Sequence, residues 1–213
     1  SHRLQYGSNI LLSALEYIIS TNDEYIDSLK CDFLSAIDIN SKLFIEKRNK
    51  DYLIFSSNTN IIRIKLEFSS NLKEHTFSQP NDIEEIQKSS IDSLDEEELV
   101  NLLNKNLVYK YKINPSLAFK LYPLTTKTYP GLLSDICFSS FIVGMRIPGE
   151  HSILSSIRFN YKRNSNNLNN KQNYYGLKLT KYRNIASYGS LKINTSYSDL
   201  FINFFYRPNK NTV

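Results

Sequence analysis

The sequence has no tryptophan, one methionine, two cysteines, three histidines, six glycines and six prolines among 213 residues. Each shortage closes a route. Cys31 and Cys137 both sit in apolar surroundings without ligand spacing. They read as reduced core residues, not as a disulfide framework or a cysteine-built metal site. The scattered histidines form no metal-ligand cluster, and no metal is expected. Glycines this sparse build no phosphate-cradling loop, and there is no serine nucleophile elbow. No apolar run approaches the roughly 20 residues that a membrane helix needs, and no signal-peptide pattern is legible. A cytoplasmic protein without membrane contact is the expectation.

Aromatic residues are plentiful at 13%, with 15 Tyr and 12 Phe. Together with abundant Ile and Leu they favour a sheet-rich structure over a helical bundle. The net charge of +5 hides an asymmetry. Residues 1–106 carry 11 Lys/Arg against 18 Asp/Glu, whereas residues 107–213 carry 15 against 3. The two halves can attract each other, or the basic half can hold phosphate groups.

The chain is organised around Tyr129 to Tyr161. Leu132, Leu133, Ile136, Cys137, Ser140, Phe141 and Gly144 recur at helical spacing, and the segment is uncharged enough to be buried nearly all round. Pro148 stops that helix, and Gly149 can take a positive φ. Ile153, Ser155, Ile157, Phe159 and Tyr161 then alternate with Leu154, Ser156, Arg158 and Asn160 as a half-buried strand. A buried helix feeding through a tight turn into a long curved strand suits a hot-dog fold.

The run Val143 to Phe159, VGMRIPGEHSILSSIRF, resembles the helix exit and following strand of MaoC-like hot-dog dehydratases and acyl-thioester hydratases. The resemblance covers about a fifth of the chain. It implies an α+β fold and interconversion of 3-hydroxyacyl and enoyl thioesters. The carrier would be coenzyme A or the phosphopantetheine of an acyl carrier protein, with no other cofactor. It also allows a fused or partner short-chain dehydrogenase/reductase. The alternatives are thioester hydrolysis or acyl transfer, or a non-catalytic acyl-binding or scaffolding domain.

A helix from Ser8 to Ser20, a polar link and several strands up to Phe68 repeat the order found around the central stretch. Sliding the sequence by about 123 residues sets Tyr6 on Tyr129 and Leu15 on Phe138. This order predicts a double hot-dog: 1–70 as the first repeat, 71–106 as a connector with an acidic helix, and 107–213 as the second repeat. The connector helix is expected to start at a Ser93–Glu96 capping box and run through Leu107.

MaoC-like hydratases carry an Asp-x-Asn-Pro-aliphatic-His signature before the hot-dog helix. The comparable place here is Lys112-Ile113-Asn114-Pro115-Ser116-Leu117. The Asn-Pro stands, but Lys112 and Leu117 replace the acid and the histidine, and Asn-Pro is also an ordinary turn dipeptide. His151, flanked by Glu150 and Ser152, is the candidate proton-transfer group, or else a histidine held in a turn. Asp135, the only acid in the apolar helix, is the second candidate, because a buried carboxylate is costly unless it is paired or protonated. It can equally satisfy first-turn N–H groups. Tyr129 is a candidate hydroxyl donor. Gly149, Ser152, Arg158, Lys162, Arg163, Lys178 and Lys181 are candidates for holding the substrate and its phosphates, the cations being alternatively a solvated sheet face. Alternating Tyr and Lys/Arg on the later strands suits single-stranded nucleic acid, but no RNA-binding motif accompanies it and nucleic acid is not the expected partner.

Overall fold

A computed structural model describes residues 2–35, 41–57, 59–69, 74–75, 94–111, 113–129, 131–149, 152–161, 163–164, 174–183, 187–195 and 197–206. The elements run α1 (His2–Ser20), β1 (Tyr25–Phe33), β2 (Phe44–Arg48), β3 (Asp51–Ser56), β4 (Thr59–Ser69) and β5 (Glu74–His75). Then come α2 (Glu96–Leu102), β6 (Asn106–Lys110), α3 (Pro115–Leu121), α4 (Pro123–Thr128) and α5 (Leu132–Met145). The chain continues through β7 (Ser152–Tyr161), β8 (Arg163–Asn164), β9 (Tyr174–Arg183), β10 (Tyr188–Asn194) and β11 (Ser198–Tyr206).

Nine strands form one sheet in the order β2-β3-β4-β1-β7-β11-β10-β9-β6, while β5 and β8 form a separate parallel pair. The order reads outward from the β1–β7 seam as the same pattern twice. β1-β4-β3-β2 lies on one side and β7-β11-β10-β9 on the other, with α1 preceding the first set and α5 the second. This is a double hot-dog, two helices each wrapped by half of a continuous antiparallel sheet. β6 adds a ninth strand beside β9.

The two helices differ in how far they are enclosed. α1 buries Leu11, Leu12, Leu15 and Ile18 on one side and exposes Ser13, Tyr17 and Ser20 on the other, the stripe of a helix lying on a core. α5 is covered on nearly every side: Leu132, Ile136, Phe138, Ile142 and Val143 are all buried. The sheet's inner face meets the helices with Leu29, Cys31, Ile157, Phe159, Leu200 and Ile202, all at most 1% exposed. Ser8 and Ser140 hydroxyls bond α1 to α5.

Glu16 of α1 caps α4 across the chain. Its carboxylate accepts the Leu124 and Thr125 N–H groups at 2.6 and 2.9 Å, donors that the first turn of a helix leaves without partners. The residue at α4's own N-cap, Tyr122, offers no side-chain bond there.

Three expectations shift. The capping box is Asp95–Glu98, not Ser93–Glu96: Asp95 accepts from the Glu98 N–H, and the Glu98 carboxylate accepts from the Asp95 N–H. α2 then ends at Leu102, and Leu107 belongs to β6. The third shift is in β7, which does not keep one alternation throughout. The pairing steps from Ser156↔Asn203 to Leu154↔Phe204, so Ser155 is bulged out. A one-residue bulge swaps the faces beyond it, and Leu154 is buried while Ile153 is 43% exposed.

Gly189 faces Phe204 across the β10–β11 ladder. A Cβ there would lie 2.3 Å from the Phe204 ring, which is fully buried. Gly189→Ala is therefore expected to destabilise the fold by about 1–3 kcal/mol through overpacking. Urea unfolding reads this directly, and an unchanged midpoint would contradict it.

Candidate active site

α5 begins on Gly131 and brings Asp135 into its first turn. The Asp135 side chain points inward, where the turn between β10 and β11 meets it. Its Oδ2 accepts from the Ser198 hydroxyl at 2.5 Å and lies 3.2 Å from the Thr195 hydroxyl. The turn is built for this. Thr195 Oγ1 accepts the Tyr197 and Ser198 N–H groups at 3.0 and 2.9 Å, and the Thr195 N–H donates to the Ser198 carbonyl at 2.9 Å. Tyr197 closes over the helix start, with its ring where a Gly131 Cβ would be.

Asp135 is 1% exposed. Its second oxygen, Oδ1, has no hydrogen-bond partner among the described residues. Burial pushes the carboxyl up to about 7, against the hydroxyls of Ser198, Thr195 and Tyr175, which pull it down. Tyr175, whose hydroxyl bonds Ser134 at 2.7 Å, is itself held well above its usual range, by burial first and then by the Asp135 charge. The result is a carboxyl near neutrality, with Oδ2 anchored by Ser198 and Thr195, Oδ1 without a hydrogen bond among the described residues, and the Tyr175 hydroxyl close enough to lower it.

The other expected site residues lie elsewhere. Gly149 takes φ 98° at the helix exit. The Ser152 hydroxyl is engaged by the Val143 carbonyl at 2.5 Å and by the Gly149 carbonyl. That exit is ten residues along α5 from Asp135, about 15 Å at the helical rise. The turn that leads to His151 and the Asp135 carboxyl therefore occupy opposite ends of the helix. His151 and Lys162 fall outside the described residues, and Arg163 lies in β8. Arg158 and Lys178 stand on the sheet face turned away from the helices, because their neighbours Ile157, Phe159, Leu177 and Leu179 fill the inner face, and Lys181 joins them through the bulge at Thr180. They do not share a site with Asp135.

Tyr129 precedes α5 and is buried. Its hydroxyl accepts the Ile26 N–H at 2.6 Å, and its ring meets Tyr161 edge-on at 5.1 Å. Burial raises its phenol above the usual range. The crevice around it, between Ile26, Leu132 and Phe159, is about 10 Å³, room for one water at most. This places Tyr129 as a bolt between the repeats. Tyr129→Phe is expected to cost about 1–3 kcal/mol by orphaning the Ile26 N–H. Thermal unfolding measures it, and a variant as stable as the parent would refute the assignment.

Asn114 accepts the Ser116 and Leu117 N–H groups at 3.1 and 3.2 Å and caps α3. Leu117 is exposed. Asn-Pro here is the start of a helix, with Pro115 at its first turn. Lys112 lies outside the described residues. Among the described residues no three His, Cys, Asp or Glu side chains gather as metal ligands, and no helix is long and apolar enough to cross a membrane. Ser198 and Thr195 carry no mark in the sequence beyond a small polar turn between two strands.

No family model and no curated protein matches the sequence. Solved structures do match it in shape. An acyl-CoA thioesterase II from Mycobacterium marinum superposes with a TM-score of 0.58 at 12% identity, over 99% of this chain and 92% of that one. A MaoC-like dehydratase gives 0.54 at 8%, over 96% and 83%. A hot-dog protein of unknown function from Alicyclobacillus acidocaldarius gives 0.51 at 4%, over 94% and 87%. At such identities the likeness is one of fold, and it agrees with the double hot-dog read from the sheet order.

Proposed function

We propose that this double hot-dog hydrolyses acyl thioesters, with Asp135 as the general base. The observation that supports it is a near-neutral buried carboxyl, anchored through Oδ2, whose Oδ1 has no hydrogen-bond partner among the described residues. A base works best when its pKa lies near the operating pH. The Asp135 carboxylate takes a proton from a water at Oδ1 as that water's oxygen bonds to the thioester carbonyl carbon. The C–S bond then breaks, and the proton passes from Asp135 to the departing thiolate. The products are a carboxylic acid and a thiol, which would be coenzyme A or the phosphopantetheine of a carrier protein. Ser198 and Thr195 hold the carboxylate's orientation. The solved acyl-CoA thioesterase II of like shape is consistent with this chemistry. Asp135 is 1% exposed, so in this reading water and thioester reach it through an opening of the surrounding structure.

Dehydration of 3-hydroxyacyl thioesters is the second reading, favoured by the likeness in shape to a MaoC-like dehydratase. It uses the same carboxyl for proton transfer at carbon instead of at water. Hydration and dehydration leave the C–S bond intact, so the products decide. Incubation with saturated, enoyl and 3-hydroxyacyl coenzyme A thioesters, followed by free-thiol assay and mass spectrometry, is expected to release thiol and acid. Interconversion of enoyl and 3-hydroxyacyl species without thiol release would replace hydrolysis by dehydration. No conversion of any of the three classes would leave the fold as a binding scaffold.

A further inference from the structure

The outer face of the sheet is the one opposite Leu29, Cys31, Ile157, Phe159, Leu200 and Ile202, which meet the helices. Residues paired directly across an antiparallel ladder share a face, so the register reads off what stands in line there. Lys65 pairs with Lys30, Lys30 with Arg158, Arg158 with Phe201, Phe201 with Lys192, and Lys192 with Lys178. Six side chains from six adjacent strands thus form one row, five of them cations. With strands about 4.8 Å apart, the row is about 24 Å long.

Its two ends differ. In the first repeat the cations meet carboxylates, Lys30 with Asp32 at 3.2 Å and Lys65 with Asp51 at 3.6 Å. In the second repeat Arg158, Lys178 and Lys192 have no carboxylate within 4.0 Å among the described residues. The four strands β7, β9, β10 and β11 contain a single acid, Asp199. One aromatic ring stands in this row, and others lie beside it. Phe201 is 40% exposed with the Lys192 ammonium 5.8 Å over its ring. Phe205, four residues along β11 and 44% exposed, meets Tyr188 edge-on at 5.6 Å.

We infer that this face binds single-stranded nucleic acid, with phosphates tracking the row of cations and a base stacked on Phe201. The chemistry favours that occupant over an acidic protein surface. Carboxylates need only the cations, whereas an exposed ring between two cations, Phe201 between Arg158 and Lys192, matches a ligand whose anionic backbone carries flat π-faces. A sheet face without a groove offers nothing to seat a duplex, but an open strand can lay its bases on it. The sequence shows Tyr and Lys/Arg alternating on the later strands, whereas the row seen in the cross-strand register is built of Lys, Arg and Phe.

Fluorescence anisotropy tests this on the whole chain, with labelled oligo(U) and oligo(dT) of about 12 nucleotides at about 50 mM salt. Binding is expected to weaken with salt at a log–log slope of about −2 to −3, for three or four phosphates at about −0.7 each on a single strand. Phe201→Ala is expected to weaken it at least about fivefold, and Lys192→Ala to flatten the slope by about 0.7. Both sites are exposed, and thermal unfolding confirms that the variants keep the fold. Three results would each overturn the inference. They are no binding at low salt, binding that Phe201→Ala leaves intact, and equal competition by polyglutamate or by a duplex of the same sequence.

Discussion

Asp135→Asn is expected to lower thioester turnover by about 10²–10⁴-fold, the range that a positioned general base contributes. Asn fills the same space and can still accept the Ser198 hydroxyl at the site of Oδ2, but it cannot take a proton from water. The loss should fall on kcat with little change in KM, since the carboxyl acts on the reacting water and not on the acyl chain. In the parent protein kcat should rise with pH through about 7 as the carboxyl ionises. Ser198→Ala removes a hydroxyl that pulls the carboxyl down, so its profile should shift to higher pH while turnover at high pH survives. Steady-state thiol release across pH 5 to 9 (about two units either side) measures all of this. A flat pH profile, or an Asn variant as active as the parent, would remove Asp135 from the chemistry.

The same carboxyl makes folding stability fall as pH rises. Its folded value is raised from 3.8 to about 7, so between these values the folded chain holds a proton that the unfolded chain has released. Asp135 therefore contributes fully below about pH 4. Its contribution is lost progressively as pH climbs to about 7, with an order of magnitude of 4 kcal/mol from about 1.4 kcal/mol per pH unit. Against a total stability of about 5–15 kcal/mol this is a large share. In Asp135→Asn the buried group stays neutral, and that part of the slope should vanish. The measurement is urea unfolding of both proteins at about pH 5 and pH 8, with the difference between them cancelling the other carboxylates. Parallel losses in the two proteins would show that Asp135 is not the group responsible. If turnover and stability both behave as expected, the carboxyl's ionisation serves catalysis at a cost in folding.

Much of this frame is legible in the sequence. The stretch from Leu132 to Tyr161 reads as a buried helix and a long strand because its apolar residues outnumber any competing signal, and α5 and β7 occupy it. Asp135 stands out as the lone acid in that helix. Legibility fails where local rules compete. α3 and α4 are short, and α3 exposes Leu117, Phe119 and Leu121, so no amphipathic stripe announces it. The bulge at Ser155 reverses an alternation that looks continuous. Thr195 and Ser198 reach Asp135 across 60 and 63 residues, and nothing in a small polar turn foretells that meeting. The phosphate-holding role expected of Arg158, Lys178 and Lys181 fails to meet Asp135 for a related reason. Strand residues alternate between faces, and composition does not say which face a helix will cover.

The seam between the repeats also sets the order of events during synthesis. β1 finds one neighbour, β4, within its own repeat, but its other edge pairs only with β7, Cys31 opposite Ile157. At about 5–20 residues per second the ribosome needs roughly ten seconds to deliver that partner. Through this interval the nascent first half presents an unpaired β1 edge carrying Leu29, Cys31 and Phe33, a template for any other extended chain nearby. Pairing at such sequence separation is intrinsically slow. Closing the seam therefore falls late, and the β1 edge must stay free of other strands until β7 emerges.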